Sequence, residues 1–311
     1  MVRYLRSQPI LNNLSYQQLI GEALNDFSSV IEEKINNILP VPDGPEGKTI
    51  EAMRYTALGG GKFIRPYLVR LTSKMFDVPE AHYLQVGAAV EMAHAYSLIH
   101  DDLPAMDNDD IRRGKPSCHM EFGEATAILA GDGLLTLAFG LLAEEEVLPD
   151  ANIRCRLIAS LASQAGCAGM IGGQTIDLAS ENKNVDKVLI TQMARMKTGA
   201  LLSFASAAGG ILGEAEKEDI SNLETFGFEL GLIFQITDDL LDVEGDQLAL
   251  GKKVRKDAEA GKATFVSALG VNGARSEAHR IADAALAGLN GFGSAADSLR
   301  ALVKFVLERK K

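Results

Sequence analysis

Apolar residues recur along the chain at the three- and four-residue spacing of an α-helix, and this pattern most constrains the fold. Leu299, Leu302, Val303 and Val306 occupy positions i, i+3, i+4 and i+7, which places them on one helix face. No segment sustains the strict alternation that predicts a strand, and turn residues fall between the helical stretches. The sequence therefore predicts an all-α protein, a single large bundle of about ten or more helices.

Composition indicates one domain without a membrane span. Of the 311 residues, 47% are apolar, and no Pro/Ser-rich linker divides the chain. We expect one domain over residues 1–311, with residues 1–16 as a candidate disordered segment. Glycines and Asp132 interrupt the apolar stretch from Ala125 to Ala143, so we interpret it as a buried helix.

Charge and cysteine usage narrow the partners and the compartment. A net charge of −11 argues against nucleic acid as a partner. The three cysteines, Cys118, Cys155 and Cys167, have no CxxC spacing, which is typical of neither a disulfide framework nor a zinc cluster. The N-terminus has no secretory hydrophobic region. These features favour the cytoplasm, with an organellar address left open.

Two clusters of aspartates each follow an apolar helical stretch. In the first, DDLPAMD at 101–107, Pro104 should end the preceding helix, so Asp101 and Asp102 lie at a helix C-terminus. In the second, DDLLD at 238–242, Asp238 and Asp242 are four residues apart and share a helix face. Mg²⁺ prefers oxygen ligands and is usually held by one or two carboxylates together with substrate phosphates. Two such clusters across a helical bundle therefore predict a diphosphate held through metal ions.

Cations that could line the same cavity lie near glycines. Lys62 and Arg65 follow the three-glycine turn at 59–61, Lys197 precedes Thr198 and Gly199, and Lys252 follows Gly251. Arginine can grip a phosphate through two nitrogens, whereas lysine acts as a point charge.

At this point the motifs resemble those of the trans-isoprenyl diphosphate synthases. The similar segments are LGGGKFIRP at 58–66, DDLPAMD at 101–107, RRG at 112–114, GGQTID at 172–177, KTG at 197–199 and FQITDDLLD at 234–242, followed by GK at 251–252. They run in the family's order from about residue 50 to 265. The first aspartate motif, with its two-residue insertion, is similar to that of the bacterial and plastid enzymes. The complete set of motifs is most like that of the bacterial farnesyl diphosphate synthases.

The resemblance implies an all-α bundle around a central cavity, the isoprenoid synthase type of fold, and a magnesium-dependent prenyltransferase. Three Mg²⁺ ions, for which Mn²⁺ can substitute, would bind an allylic diphosphate to Asp101, Asp107 and Asp238. Arg112, Lys197 and Lys252 would hold the same diphosphate. The second substrate, isopentenyl diphosphate, would bind the remaining cationic side chains, namely Lys62, Arg65, His94 and Arg113.

The resemblance also implies the catalytic set. Thr198 and Gln235 would direct dipoles at the allylic cation. The catalytic residues would be Asp101, Asp102, Asp107, Lys197, Thr198, Gln235 and Asp238. The family further suggests a homodimer.

Product length depends, in this family, on the residues just before the first aspartate motif. Tyr96 and Ser97 lie there, and the ring of Tyr96 should form a floor under the growing tail. We therefore expect a fifteen-carbon product, farnesyl diphosphate, made from dimethylallyl or geranyl diphosphate. Geranyl and geranylgeranyl diphosphate remain the alternatives.

Three other functions are compatible with parts of the pattern. A terpenoid cyclase would replace the second aspartate motif with an Asn/Ser/Glu motif. A phosphohydrolase using His100 and Asp101 would need further histidines at metal-binding positions, and only five occur. A non-catalytic partner subunit would be expected to lose aspartates, whereas both motifs are intact here.

Overall fold

A computed structural model describes residues 16–183, 185–244 and 261–309. Lys252 lies outside the described residues. So does the predicted N-terminal segment, except for Tyr16, which begins the first helix. Across the described ranges the fold is almost entirely helical, as the apolar periodicity predicts. The prediction of one domain over residues 1–311 stays a prediction.

The first half of the described chain contains six helices and one small hairpin. The helices are α1 (Tyr16–Ile38), α2 (Gly47–Ala57), α3 (Ile64–Met75), α4 (Glu80–Asp101), α5 (Cys118–Phe122) and α6 (Glu124–Ala143). Strands β1 (Ile111–Arg112) and β2 (Lys115–Pro116) pair antiparallel between α4 and α5. The hairpin turn consists of Arg113 and Gly114, whose φ angles of 53° and 76° suit the tight turn that needs positive φ at both central residues.

The second half continues with helices only. These are α7 (Ala151–Ala165), α8 (Met170–Ser180), α9 (Lys187–Ala194), α10 (Ala200–Leu212), α11 (Lys217–Glu244), α12 (Phe265–Gly288) and α13 (Asp297–Leu307). A π-helical turn, Arg195–Gly199, joins α9 to α10, and a 3₁₀ segment, Asn290–Ala296, precedes α13. The thirteen α-helices of the described ranges confirm the prediction of about ten or more.

The core lies around two central helices. α4 packs along α6 and α3, whereas α10 packs against α11, α3 and α7. Every residue of α10 is buried, and α4 carries buried residues around most of its circumference. Such all-round burial is expected of helices inside a large helical protein. The first aspartate motif therefore begins at the C-terminal end of buried α4. The second lies near the C-terminal end of α11, which packs against buried α10.

One helix of the described chain, α6, is long and apolar enough by length and composition to cross a membrane. Only 39% of its most apolar window is buried, and Ile128 and Leu129 are 43% and 56% exposed. A helix packed in the core of a soluble protein can have the same length and apolar composition. α6 is therefore partly buried, and one of its faces is apolar and uncovered.

Candidate active site

A cavity of about 300 Å³ lies among α3, α4, α10, α11 and the C-terminal residues. Cationic side chains dominate its polar lining, and they stand next to an aspartate, a glutamate and aromatic rings. The charged and polar lining residues are Lys62, Arg65, Glu91, His94, Arg113, Thr198, Asp238 and Arg309. The cavity therefore gathers residues from four separate sequence motifs, together with residues of α4, and suits a small anion with an apolar part.

The glycine turn before α3 shapes the cationic side of this cavity. Gly60 has a φ of 82°, and Phe63, just before α3, has a φ of 45°, so the chain turns sharply before Arg65. The Arg113 guanidinium donates a hydrogen bond to the carbonyl oxygen of Gly60. A Cβ on Gly61 would lie 3.0 Å from Nη2 of Arg113. The glycines therefore let the hairpin arginine approach the turn, and they are more than a flexible connection.

A buried carboxylate, Glu91, faces the cationic cluster. It is 3% exposed and lines the cavity one helical turn before His94. Burial raises the pKa of Glu91, whereas the charges of Arg65 and Arg113 oppose that rise. Burial lowers the pKa of His94 well below its ordinary value, and the nearby arginines lower it further. His94 is therefore neutral at pH 7 and can donate or accept a hydrogen bond without adding charge.

The first aspartate motif begins at the end of α4, as predicted from Pro104. α4 ends at Asp101, and Asp102 is its C-cap. Burial, together with the charges of Asp107 and Asp102, raises the pKa of Asp101 to about 6 against the opposing charges of Lys197 and Arg112. Oδ2 of Asp107 lies 3.2 Å from Nζ of Lys262, whereas its Oδ1 is buried without a hydrogen-bond partner in the described structure. The motif therefore has carboxylate oxygen to offer a cation.

Asp102 has a different environment from Asp101 and Asp107. It is 2% exposed, and Nε of Arg112 donates to its two oxygens at 3.0 and 3.1 Å. Nη2 of Arg112 also donates to Oδ1. Burial raises the pKa of Asp102, and the hydrogen bonds and charge of Arg112 oppose that rise. Asp102 therefore holds Arg112 in place and has its oxygens engaged.

The second aspartate motif lies on α11, with its members in contrasting positions. The Asp238 side chain is 49% exposed and borders the cavity, whereas Asp239 and Asp242 are 2% and 4% exposed. Of the two aspartates predicted to share a helix face, Asp238 therefore lies at the cavity and Asp242 lies in the interior.

Arg309 covers this motif from the C-terminus. Its Nη2 lies 2.9 Å from Oδ1 of Asp238 and donates to the carbonyl oxygen of Phe234 at 2.7 Å. Its guanidinium also stands over the Phe234 ring, 4.6 Å from the centroid. The predicted aspartate Asp238 is therefore paired with a cation of the protein itself.

The π-helical turn presents Lys197 and Thr198. Nζ of Lys197 lies 2.5 Å from Oδ2 of Asp177 on α8. A Cβ on Gly173 would lie only 2.1 Å from the backbone nitrogen of Lys197, so this glycine permits α8 to pack against the turn. An inserted π-turn is frequent at functional sites because it re-aims side chains within a helix.

Thr198 and Gln235 are hydrogen-bonded to each other. Oγ1 of Thr198 donates to Oε1 of Gln235 at 3.0 Å, and Nε2 of Gln235 donates to Oδ1 of Asp239 at 2.9 Å. The backbone nitrogen of Phe265, at the start of α12, donates to Oδ2 of Asp239 at 2.7 Å. A connected row of hydrogen bonds therefore runs from the cavity to α12.

The start of α12 also links the two aspartate motifs. Lys262 pairs with Asp107 of the first motif, and three residues later the Phe265 nitrogen binds Asp239 of the second. Three residues of extended chain span at most about 11 Å. The two motifs therefore lie at the same end of the bundle.

Tyr96 and Ser97 lie on α4, in the last turns before the first aspartate motif. The Tyr96 ring packs edge-on against His100 at 5.7 Å, and its hydroxyl is buried without a hydrogen-bond partner in the described structure. Burial raises the pKa of Tyr96 to about 12, with a contribution from Asp101. Oγ of Ser97 donates to the carbonyl oxygen of His94 at 2.9 Å. Tyr96 is therefore positioned as a fixed, buried ring close to Asp101.

His100 takes part in helix packing. Its Nε2 lies 3.1 Å from the carbonyl oxygen of Ile128, and a Cβ on Gly131 would lie 2.1 Å from that nitrogen. This contact ties α4 to α6. Such a role disfavours the phosphohydrolase alternative, which would use His100 as a metal ligand.

The carboxylates suit metal ions that share their coordination with a substrate. Within residues 16–183, 185–244 and 261–309, no three His, Cys, Asp or Glu side chains are grouped to hold an ion by themselves. The buried, unpartnered Oδ1 of Asp107 and the desolvated Asp101 nevertheless favour a cation. This donor set fits Mg²⁺, which commonly takes one or two carboxylates and completes its shell with water and phosphate.

Most of the predicted residues fall into two groups in space. Lys62, Arg65, His94, Arg113, Thr198 and Asp238 surround the cavity. Gln235 joins them through Thr198, and Lys197 lies next to Thr198 on the π-turn. Asp102 and Arg112 form their own pair beside a second, smaller cavity.

Sequence reasoning assigned no individual role to four residues that the structure brings to the site: Glu91, Asp177, Asp239 and Lys262. The position of Glu91 three residues before His94 was a usable signal, since that spacing shares a helix face. Asp239 lies four residues after Gln235 on α11, which was a signal of the same kind. The pairings of Asp177 with Lys197 and of Lys262 with Asp107 join more distant parts of the chain and left no local signal.

The chain is similar to a family model described as polyprenyl synthetase over residues 47–302. Farnesyl diphosphate synthase of Escherichia coli (strain K12) is 43% identical over 279 residues, which cover 88% of this chain and 92% of that protein. A crystal structure of an FPP/GFPP synthase from Zymomonas mobilis is 44% identical and has a TM-score of 0.83, covering 92% of this chain and 98% of that one. A geranyltransferase from Helicobacter pylori, complexed with magnesium and isoprenyl diphosphate, has a TM-score of 0.78 at 30% identity and covers 92% and 94%.

Proposed function

The chain belongs to the polyprenyl synthetase family, and from that premise we propose that it condenses an allylic diphosphate with isopentenyl diphosphate, head to tail. The allylic substrate is dimethylallyl or geranyl diphosphate, and the product is farnesyl diphosphate. Geranyl and geranylgeranyl diphosphate are the alternative products. The observation that carries the proposal is the cationic cavity bordered by Asp238, at the end of the bundle where both aspartate motifs meet.

Isopentenyl diphosphate binds the cationic side of the cavity in this proposal. Lys62, Arg65 and Arg113 supply positive charge, and the arginines can each grip a phosphate through two nitrogens. Neutral His94 adds a hydrogen bond. Glu91 compensates part of the cationic charge while the cavity holds no anion, because Arg65 and Arg113 lie close to it.

The allylic diphosphate binds between the aspartate motifs. Asp101, Asp107 and Asp238 hold Mg²⁺ there, three ions in all, and Mn²⁺ substitutes for it. When bound, the metal supplies Lewis-acid neutralisation of the departing diphosphate. Arg112, oriented by Asp102, and Lys197 bind the same group. Lys252, which lies outside the described residues, completes this set.

The remaining catalytic residues act on the carbon chain. The Thr198 oxygen lines the cavity, and Oε1 of Gln235 lies 3.0 Å from it, so each is the negative end of a dipole at or next to the cavity. Such fixed dipoles stabilise a developing allylic cation without reorganisation. The new carbon–carbon bond forms from the double bond of isopentenyl diphosphate, and the released diphosphate takes the proton that is then lost.

A product assay tests this function. Purified protein with Mg²⁺, isopentenyl diphosphate and either allylic diphosphate should form a longer prenyl diphosphate, analysed by chromatography after dephosphorylation. Omitting Mg²⁺ should abolish product. If neither a longer product nor metal-dependent diphosphate release is observed across a range of conditions, the proposed function is wrong.

Tyr96 sets the product length in this proposal. The ring is buried, and Tyr96→Ala removes it, so the variant should extend the main product by at least one five-carbon unit. Tyr83→Ala is the matched control, because Tyr83 is a buried tyrosine at the opposite end of the same helix. An unchanged product distribution in Tyr96→Ala would place the floor of the tail elsewhere.

A homodimer is part of the proposal, with the uncovered face of α6 as its interface. Leu129 on this face is 56% exposed, and Met120 on neighbouring α5 is 54% exposed. Leu129→Glu should convert a dimer to a monomer in light scattering, whereas Val188→Glu, on α9 and 74% exposed in the monomer, should not. A monomeric wild type, or binding of this face to lipid vesicles, would contradict the assignment.

Location and partners complete the proposal. We place the protein in the cytoplasm, since Cys155 and Cys167 are free and exposed, which suits a reducing compartment. Its partners are the two small-molecule substrates, and its charge of −11 argues against nucleic acid.

A further inference from the structure

Asp239 is a buried carboxylate whose two oxygens accept from different directions. It is 2% exposed, and its Oδ1 accepts from Nε2 of Gln235 at 2.9 Å. Its Oδ2 accepts from the backbone nitrogen of Phe265 at 2.7 Å. These contacts turn the side chain from the cavity towards α12, in contrast to the neighbouring Asp238.

The carboxylate determines which end of the Gln235 amide meets Thr198. An ionised carboxylate only accepts hydrogen bonds, so the amide must present Nε2 to Asp239 and Oε1 to the other side. On that side Oε1 accepts from Oγ1 of Thr198 at 3.0 Å. Thr198 lines the cavity, and because its hydroxyl proton is directed at Gln235, its lone pairs are left for the cavity.

We propose that Asp239 is a positioning residue for prenyl transfer, which orients the Gln235 and Thr198 dipoles with their negative ends towards the allylic cation. The inference rests on the proposed function, because it names the cation as the species that these dipoles serve. The backbone nitrogen of Phe265 holds the carboxylate in place from α12. Asp239 acts through Gln235 and has no contact with substrate in this assignment.

Asp239→Asn tests the orientation with little change in size. Asparagine has one accepting oxygen and one donating nitrogen, so it cannot accept from both Phe265 and Gln235. With its oxygen on Phe265, its nitrogen faces Gln235 and favours the reversed amide, which turns Nε2 to Thr198. We expect kcat to fall about 10- to 100-fold, since a single misdirected dipole at a reacting centre has effects of this order. KM for both diphosphates should change by less than about twofold, because their charged groups bind elsewhere.

A second substitution can restore the polarity of the hydrogen-bond row. In Gln235→Glu/Asp239→Asn, the asparagine oxygen accepts from Phe265 and its nitrogen donates to the glutamate. The other glutamate oxygen again accepts from Thr198. Gln235→Glu alone should be strongly impaired, because it places two carboxylates at a former donor–acceptor distance of 2.9 Å. We expect the double variant to recover about tenfold of the kcat lost in Asp239→Asn, a non-additivity that a coupled pair should show.

The outcomes separate the possible roles of Asp239. All kinetics are measured well below the lowest Tm, which is determined for each variant. If Asp239→Asn lowers Tm but leaves kcat unchanged, Asp239 only stabilises the junction with α12 and the inference is overturned. It is also overturned if kcat falls and the double variant recovers none of it. A wild-type enzyme that makes no prenyl product would instead refute the proposed function, whatever the variants do.

Discussion

Gly231 on α11 packs directly against the π-helical turn of the candidate site, and Gly231→Ala tests whether that contact sets the site geometry. A Cβ at this position would lie 2.4 Å from Cα of Gly199 in the π-turn. Carbon atoms prefer separations of about 3.5–4.0 Å, so the elements must separate by roughly 1 Å or more. The obstacle is backbone, and no side-chain rotation can relieve the overlap.

The substitution should lower stability through overpacking, and it should lower turnover by disturbing the geometry of the site. Inserting a methyl group into a close-packed contact costs about 1–3 kcal/mol, and for a chain of this size Tm should fall by about 2–6 °C. The hydrogen bond of 3.0 Å between Thr198 and Gln235 lies beside this contact, and a 1 Å separation would break it. A displacement of about 1 Å can reduce turnover roughly 100-fold.

Differential scanning fluorimetry and steady-state prenyl transfer measure the two effects. Gly21→Ala is the control, since Gly21 lies within α1 and an added Cβ has no atom within 4 Å. That control should leave activity unchanged and raise stability by about 0.5–1 kcal/mol. A Gly231→Ala variant with wild-type Tm and kcat would refute the view that this glycine sets the spacing of α11 and the π-turn.

Two further predictions concern charge pairs. Arg309→Ala should tighten Mn²⁺ binding to the substrate-free protein about two- to fivefold, measured by electron paramagnetic resonance, because it removes a competing cation from the half-exposed Asp238. Unchanged Mn²⁺ affinity would show that Arg309 does not compete for this carboxylate. Glu277, on α12, is hydrogen-bonded by Arg280 and Lys187, which lower its pKa to about 2. Glu277→Gln should therefore lower the free energy of unfolding above pH 4.5, the pKa of glutamate in the unfolded chain, and this difference should vanish as the pH falls towards 2. Urea titrations at several pH values measure the difference, and a difference that does not change with pH would contradict this prediction.

Structural features that depend only on residues close together in the sequence were predictable. The all-α fold follows from helical periodicity, and the end of α4 at Asp101 follows from Pro104, because a proline restricts the residue before it. The β1–β2 hairpin was not anticipated, since strands of two residues carry no periodicity. Its Arg113–Gly114 turn depends on positive φ angles that only the folded chain displays.

The assignment of roles within each aspartate motif was decided by tertiary structure. The sequence placed Asp101, Asp102, Asp238 and Asp239 as adjacent pairs, and adjacency says nothing about direction. Asp102 is engaged by Arg112, whereas Asp239 faces Gln235 and α12. Consecutive residues on a helix point about 100° apart, so one member of each pair must face a different neighbour.

The sequence by itself determined the helices, the order of the motifs and the chemistry that those motifs supply, because helix propensity, periodicity and carboxylate clusters are local. Only the tertiary structure decided the partners: Lys197 with Asp177, Lys262 with Asp107, and Arg309 with Asp238. The last pair joins residues 71 positions apart on two different elements. Such pairings depend on how helices rotate and pack about their axes, and close contacts such as that of Gly231 with Gly199 set this packing.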